Sequence, residues 1–334
     1  MSPQLFPDRE QSAGAHHVIT IGNFDGVHLG HQHLIEAVVS SAKQRGDRSA
    51  VLTFDPLPLE VLRPESRLPR LTSTPDRLEL MRGLGVDEVI PVPFSREVAA
   101  LNPAEFIKQV VVALHPTEII VGADFAFGHN RSGNPDVLRQ LGREYGYTVR
   151  IIDRIGDARS DFSSSLVRAR LGDGDVKHAA DLLGRPFFLR GMVTQGKRRG
   201  RQLGFPTANL RVLDNVIVPA DGIYAAMTRT ATSDELIPSM VYMGTNPTFE
   251  EESRAVEVNL IDFSGDLYGS VLTVLFVDRV RGDQWFESAD ALVAQMHRDQ
   301  RETERMIADI DVTWPGDALR AILGIGKGAL TGDR

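Results

Sequence analysis

The stretch GNFDGVHLGHQ, residues 22–32, joins an apolar run that ends at Ile21 to an amphipathic run that follows. The apolar run predicts a strand, and the amphipathic run HQHLIEAVVSSAKQRG predicts a helix, so the stretch is the turn between them. Gly22 and Gly26 allow a tight turn, and Gly30 allows close approach of helix and sheet. The stretch therefore indicates the start of an α/β unit.

Outward from this turn, β-rich runs alternate with helical patterns. The predicted strands are Val18–Ile21, Ala50–Phe54, Glu88–Val92, Glu118–Val121 and Thr148–Ile152. Helices are predicted for TPDRLELMRGLG, for NPAEFIKQVVVAL with its capping-box start, and for residues 135–145. This alternation predicts a doubly wound parallel sheet with helices on both faces. Ligands of such sheets bind at the carboxyl ends of the strands, where the turn at residues 22–32 lies.

Two histidines stand at the start of the first helix. His28 and His31 are three residues apart, so both rings can lie on one face near backbone N–H groups that attract anions. Their rings can donate hydrogen bonds to phosphate oxygens as charge builds during transfer. The alternative is a pair of ordinary surface or capping histidines.

A second helix start, SSSLVR at residues 163–168, offers hydroxyl groups and a guanidinium. A capping box would place Glu or Gln three residues after its serine, whereas Arg168 follows Ser165 by three. Hydroxyls with a guanidinium suit an external anion.

These motifs resemble the nucleotidyltransferase superfamily, which is marked by HxGH and a later SSTxxR-like element. GNFDGVHLGHQ, TFDP at 53–56, LTS at 71–73 and VGADFAFGHNRSGN at 121–134 resemble its prokaryotic FAD synthetase branch. The resemblance implies that an FMN phosphate oxygen attacks the α-phosphorus of ATP and that pyrophosphate leaves. It implies ATP phosphate binding by His28 and His31, and pyrophosphate binding by Ser164 and Arg168.

The same resemblance implies further nucleotide and flavin contacts from the turn and two later segments: Gly22, Asn23, Phe24, Asp25, Asp124 and Ser165. Asp124 stands where the family often has Asn, Ser165 where it has Thr, and Leu57 where many relatives carry His. Serine keeps a hydroxyl. The other two departures leave open the alternative of a decayed adenylyltransferase module with only a kinase active.

The second half of the chain has a different pattern. After Gly184 and Pro186, which end a helix, β-rich runs recur without long helices between them. They are Phe187–Val193, Ile223–Thr228, Ile237–Met243, Ala255–Ile261 and Val271–Val277. This pattern predicts an antiparallel barrel or sandwich, followed by a helix from about Ser288 to Ile310.

Two features of this half carry chemistry. In GKRRGRQLGFPTANL, residues 196–210, Thr207 and Asn209 alternate as in a strand, so a hydroxyl and an amide oxygen can coordinate Mg²⁺ beside nucleotide phosphates. The alternative for its basic residues is a solvated charge run or a weak nucleic-acid patch. Glu257 lies between Val256 and Val258 on an alternating strand, where a glutamate is usually solvent-facing.

This set resembles flavokinase, with its GxxxGRxLGFPTANL segment, glutamate strand and DLYG turn. The resemblance implies a six-stranded barrel that transfers the γ-phosphoryl of ATP to riboflavin, with Glu257 as general base. It implies that Thr207 and Asn209 bind Mg²⁺ and ATP. It also implies a phosphate-binding loop, to which Gly196, Lys197, Arg201 and Gly204 belong. Asn259 departs from the His common in relatives.

Together the motifs resemble the prokaryotic bifunctional FAD synthetases: an FMN adenylyltransferase domain over residues 1–186 and a riboflavin kinase domain over residues 187–334. Riboflavin, FMN and ATP are the implied partners, Mg²⁺ the implied metal, and FAD the final product. A non-catalytic flavin-binding regulator is the remaining alternative, although such a protein has no need of Glu257.

Composition agrees with this expectation. A net charge of -8 argues against nucleic-acid and acidic-membrane partners, and the absence of cysteine excludes disulfides, thiolate catalysis and zinc–thiolate sites. No apolar run approaches the ~20 residues of a membrane span, and residues 1–17 lack a signal-peptide pattern. The sequence predicts a soluble cytoplasmic protein, and leaves a homo-oligomer open.

Overall fold

The computed structural model describes residues 15–66, 68–153, 156, 162–196, 200, 203–212, 215–245, 254–310 and 319. The chain divides into two compact units. Unit 1 comprises Met1–Pro69 and Thr74–Phe162, and unit 2 comprises Arg70–Ser73 and Ser163–Arg334. The predicted boundary between residues 186 and 187 divides the chain by activity, not by compactness, and stays a prediction.

Among the described residues of unit 1, five parallel strands form one sheet in the order β3-β2-β1-β4-β5. They are β1 His17–Ile21, β2 Arg48–Asp55, β3 Glu88–Pro93, β4 Pro116–Gly122 and β5 Thr148–Ile152. The described helices of this unit are α1 Leu29–Arg45, α2 Pro58–Leu62, α3 Thr74–Gly83, α4 Arg96–Ala100, α5 Pro103–Phe106 and α6 Pro135–Tyr145. The predicted doubly wound parallel sheet is confirmed.

Alternation along the central strands fills both faces of this sheet. On β1, Val18 packs with Val38 and Ala42 of α1, whereas Ile19 and Ile21 belong to a larger cluster on the opposite face. All five are at most 3% exposed. The strand order reverses at β1, which pairs with both β2 and β4, and this is where ligands of open α/β sheets bind.

The segment NPAEFIKQVVVAL departs from the predicted regular helix. Its start has the predicted capping box: Asn102 Oδ1 accepts from the Glu105 amide at 3.0 Å, and the Glu105 carboxylate accepts from the Asn102 amide. After α5, however, the chain continues as a π turn over Ile107–Val111 and a 3₁₀ turn over Val112–Leu114. The consecutive β-branched residues in QVVV disfavour a regular α-helix, and the altered winding still buries this segment against the sheet.

In unit 2 the described residues form a closed barrel in the order β10-β7-β6-β11-β8-β9. Its strands are β6 Phe188–Thr194, β7 Ala208–Val212, β8 Gly222–Arg229, β9 Leu236–Thr245, β10 Arg254–Leu260 and β11 Val271–Gly282. The described helices are α7 Ser164–Gly172, α8 Val176–Leu183 and α9 Ala289–Ala308. The predicted antiparallel barrel with a C-terminal helix is confirmed, and closure removes the sheet edges.

Helix α9 packs against the barrel through both apolar and charged contacts. Val293 and Met296 lie against an apolar cluster of Phe205, Ile223 and Met240. An ion pair joins β11 to the same helix: Arg281 Nη2 lies 2.8 Å from Asp299 Oδ2, and Asp299 is only 2% exposed.

Candidate functional sites

The turn after β1 has unusual backbone geometry. Phe24 has φ 51°, Gly26 φ 82° and Val27 φ 43°, so two residues other than glycine adopt left-handed conformations. Such conformations cost about 1–3 kcal/mol each and persist only where the surroundings impose them. A Cβ on Gly22 would stand 3.1 Å from the Phe24 ring, so this glycine lets the ring fold back under the turn. The surrounding residues therefore hold the turn in a defined conformation.

The two histidines form one stacked pair. Their ring centroids lie 3.7 Å apart with an interplanar angle of 22°. The Phe24 and His31 rings make an edge-to-face contact, with their centroids 5.1 Å apart. His28 occupies the N-cap position of α1, but its side chain makes no capping hydrogen bond. The capping alternative therefore gains no support from the described contacts of His28, and phosphate contact stays a prediction. A Cβ on Gly30 would stand 3.0 Å from His28 Cε1, which explains the glycine between the histidines.

A buried arginine lies behind the turn. Arg77 of α3 is 1% exposed, and its Nη1 donates to the Asn23 carbonyl at 3.1 Å. The Thr53 hydroxyl donates to the same carbonyl, also at 3.1 Å. Sequence reasoning missed Arg77, because the helical pattern of TPDRLEL gives no sign that its arginine points inward.

The other predicted residues of unit 1 lie at the same edge of the sheet. Asp25 is 3% exposed, whereas Asp124 is exposed in the turn after β4, the neighbour of β1. Leu57 precedes α2 and is 7% exposed, and its amide donates to Glu60 Oε2 at 2.8 Å. The structure thus brings the turn to the carboxyl edge, as the strand pattern predicts, and Asp124, named by the resemblance, lies at the same edge.

Helix α7 carries the predicted serine and arginine contacts. Its N-cap is Ser163, whose hydroxyl accepts from the Leu166 amide at 3.3 Å. Ser164 and Ser165 therefore lie in the first turn, and Arg168 follows one turn later. Since α7 belongs to unit 2, its joint action with the histidine pair stays a prediction.

In the barrel, three polar side chains come from β10, from β7 and from the residue just before β7. Glu257 of β10 pairs in register with Asn209 of β7, and Thr207 Oγ1 donates to Glu257 Oε2 at 3.1 Å. Val256 and Val258 are 2% and 0% exposed, so alternation turns Glu257 to the opposite, partly exposed face. The hydroxyl, amide and carboxylate predicted separately are therefore neighbours.

Glycines allow the preceding loop to pass close to these side chains. A Cβ on Gly196 would overlap the Asn209 amide, and a Cβ on Gly200 would overlap the Phe205 carbonyl and stand 3.3 Å from Thr207 Oγ1. Gly204 has φ 84°. Lys197 and Arg201 lie outside the described residues. The described part of the loop therefore brings backbone, rather than side chains, up to Thr207 and Asn209.

Two further residues border this site. Asn259, which stands where relatives often have His, is 6% exposed and donates from Nδ2 to the Pro206 carbonyl at 2.8 Å. It fastens β10 to the segment that carries Thr207, and an amide N–H is sufficient for that contact. Tyr242 pairs with Glu257 from β9, and burial raises the pKa of its phenol, with the nearby carboxylates of Asp283, Asp221 and Glu257 adding to the shift.

Two family models of known proteins match consecutive segments of the chain. A family model described as FAD synthetase matches residues 10–166, and one described as riboflavin kinase matches residues 183–307. A protein of Listeria monocytogenes is 34% identical over 88% of this chain and 93% of its own length. A protein of Escherichia coli K12 is 36% identical over 85% of this chain and 90% of its own. Both are named bifunctional riboflavin kinase/FMN adenylyltransferase.

A solved structure also matches most of the chain. It is described as a macrolide-efflux protein from Streptococcus pneumoniae, and it covers 87% of this chain and 94% of its own with a TM-score of 0.80 and 33% identity. None of the helices that the structure describes here is long and apolar enough to span a bilayer. With both family models in order and the curated relatives matched along most of their length, the chain belongs to the family of bifunctional riboflavin kinase/FMN adenylyltransferases.

Proposed function

We propose that the barrel site phosphorylates riboflavin to FMN and that the stacked-histidine site adenylylates FMN to FAD. The hydrogen bond from Thr207 to Glu257, beside Asn209 and under a glycine loop, is the observation that carries the first assignment. This supports the assignment because phosphoryl transfer to an alcohol needs a carboxylate that can accept the hydroxyl proton, close to groups that can bind Mg²⁺ and phosphate.

In the kinase reaction, the 5′-oxygen of riboflavin forms a bond to the γ-phosphorus of ATP while the bond to the bridging oxygen breaks and ADP leaves. Glu257 takes the hydroxyl proton. Thr207 orients that carboxylate through its hydrogen bond and, with Asn209, supplies the hard oxygen ligands that suit the Mg²⁺ of the MgATP substrate. The space left by Gly196 and Gly200 lets backbone amides approach the phosphates. Lys197 and Arg201 are predicted to belong to the same phosphate-binding loop.

Among the described residues there is no group of three or more His, Asp or Glu side chains that could hold a metal ion by itself. A magnesium ion that arrives with ATP needs only one or two protein oxygens, because waters and phosphate oxygens complete its coordination. The donor set of Thr207 and Asn209 fits an ion of this kind.

In the adenylyltransferase reaction, a phosphate oxygen of FMN forms a bond to the α-phosphorus of ATP, and the bond to pyrophosphate breaks. His28 and His31 donate hydrogen bonds to the phosphate oxygens whose charge grows in this step. No protein nucleophile takes part. Ser164 and Arg168 bind the leaving pyrophosphate in this proposal. Further nucleotide and flavin contacts come from Gly22, Asn23, Phe24, Asp25, Asp124 and Ser165.

A time course separates this proposal from its rivals. With riboflavin and MgATP, we expect FMN to appear first and FAD to follow. FMN without FAD, also when FMN itself is supplied, would mean that Leu57 and Asp124 mark a decayed first site. Flavin binding without any turnover would support the alternative of a non-catalytic flavin-binding regulator. A cytoplasmic location and a homo-oligomer stay predictions.

Gly30→Ala should slow FAD formation by up to about tenfold, because the new methyl group stands 3.0 Å from His28 Cε1 and the ring must shift by a few tenths of an ångström within the stack. Alanine favours a helix over glycine by roughly 0.5–1 kcal/mol, so the substitution does not weaken the helix through its backbone propensity. Initial rates of FAD formation from FMN and MgATP measure the effect, with riboflavin phosphorylation as the internal control. Unchanged FAD formation would show that the ring position is unimportant.

A further inference from the structure

Arg77 is the bulkiest fully buried side chain of the described residues, and the mechanism above does not use it. A guanidinium is costly to bury unless it is paired and hydrogen-bonded, and leucine or methionine would fill a core position without that cost. A buried arginine in this unit therefore points to a task that requires its donors.

Its contacts join two segments of unit 1. Nη1 donates to the Asn23 carbonyl in the turn after β1 at 3.1 Å, and Nη2 donates to the Phe54 carbonyl near the end of β2 at 2.8 Å. Nη2 also lies 3.9 Å from Asp55 Oδ1, which accepts from the Thr74 hydroxyl at 2.7 Å. The planar guanidinium thus fixes the turn to the carboxyl end of the neighbouring strand.

The fixed carbonyl lies one residue before the strained part of the turn. Asn23 is followed by Phe24, which has φ 51° and is 1% exposed, and the Phe24 ring meets the His31 ring edge to face. His31 in turn stacks on His28. The Arg77 contact is therefore linked through a single residue to the imidazole pair.

We propose that Arg77 is a positioning residue for adenylyl transfer: its hydrogen bond to the Asn23 carbonyl holds the strained turn and, through Phe24, the ring of His31. The inference rests on the proposed role of the histidines. Arg77 touches neither substrate nor the reacting atoms in this proposal, so its removal lowers the rate of transfer rather than the affinity for ATP.

Arg77→Met tests this, since it keeps the length of the side chain but removes the donors. We expect kcat for FAD formation to fall about a hundredfold, with KM for MgATP within about threefold, because a misplacement of roughly 1 Å costs that much. Arg77→Lys keeps the charge and some donor capacity, and should recover about tenfold of the loss. Riboflavin phosphorylation should be unchanged in both variants.

Glu118→Gln is the matched control. Glu118 is 6% exposed in the same unit and contacts Ser41, Arg45 and Arg150 from the third residue of β4, close to its amino end. This variant also removes a buried charge, so it should lower the unfolding midpoint without lowering kcat for FAD formation. An equal loss of kcat in Glu118→Gln, a wild-type kcat in folded Arg77→Met, or a loss expressed only in KM would overturn the proposal.

If Arg77→Met does not fold, the kcat and KM of Arg77→Lys test the positioning role instead. A folded lysine variant with wild-type kcat contradicts the inference, and one with reduced kcat and unchanged KM supports it. His31→Ala separates this result from the proposed function. If His31→Ala retains FAD formation, the histidine role itself fails. If it loses FAD formation while Arg77→Met keeps it, only the positioning inference fails.

Discussion

Glu257→Gln is expected to slow FMN formation by orders of magnitude while the conversion of supplied FMN to FAD continues at the wild-type rate. Glutamine keeps an oxygen that can accept the hydrogen bond from Thr207, which lies at 3.1 Å, so the local packing is preserved. It cannot take a proton from the riboflavin hydroxyl, and loss of a general base costs about 10²–10⁴-fold. The two rates are measured separately, from riboflavin with MgATP and from FMN with MgATP.

A matched control for this variant is Glu235→Gln, which changes an exposed glutamate of the same unit just before β9. It should leave both rates unchanged. Loss of both activities in Glu257→Gln would contradict independent sites, and a normal rate of FMN formation would remove Glu257 from the mechanism. Thr207→Val should lower the rate of FMN formation less than Glu257→Gln does, because it removes the hydrogen bond to Glu257 but leaves the carboxylate in place.

Local patterns in the sequence determine much of this fold. All five strands predicted in unit 1 overlap those of the described sheet, and the predicted helix at residues 135–145 coincides with α6. These elements have strong periodicity or clear capping residues, which act over a few positions. The short strand β7, sequence ANLRV, is not among the predicted strands, because five residues with two polar side chains carry little β signal; only the alternation of Thr207 and Asn209 hints at it.

What the sequence could not provide is register between distant segments. The pairing of Glu257 with Asn209 joins residues of two strands far apart in the chain, and no local pattern specifies it. The same holds for Arg77, whose inward direction depends on carbonyl groups at Asn23 and Phe54. Motif resemblance named Thr207, Asn209 and Glu257 but gave no account of Asn259, whose amide contact to Pro206 explains why a residue other than histidine fits.

The complementary variant concerns His31. His31→Ala should reduce FAD formation from FMN and MgATP by about 10²–10³-fold, which is the usual cost of removing one preorganised donor to developing negative charge. FMN formation from riboflavin should be unaffected, because the kinase residues lie in the barrel. Initial rates of both reactions, measured on the same preparation, give the comparison.

Alanine also removes the ring that stacks on His28 and meets Phe24, so a packing role must be separated from a donor role. His31→Phe retains an aromatic ring without its N–H groups and should be as defective as His31→Ala, while His33→Ala changes an exposed histidine on the same helix and should remain active. Recovery of FAD formation in the phenylalanine variant would show that the imidazole serves to pack the turn. A defect in His33→Ala as large as that in His31→Ala would show that the helix responds to any histidine change, and that phosphate contact by the stacked pair is not the cause.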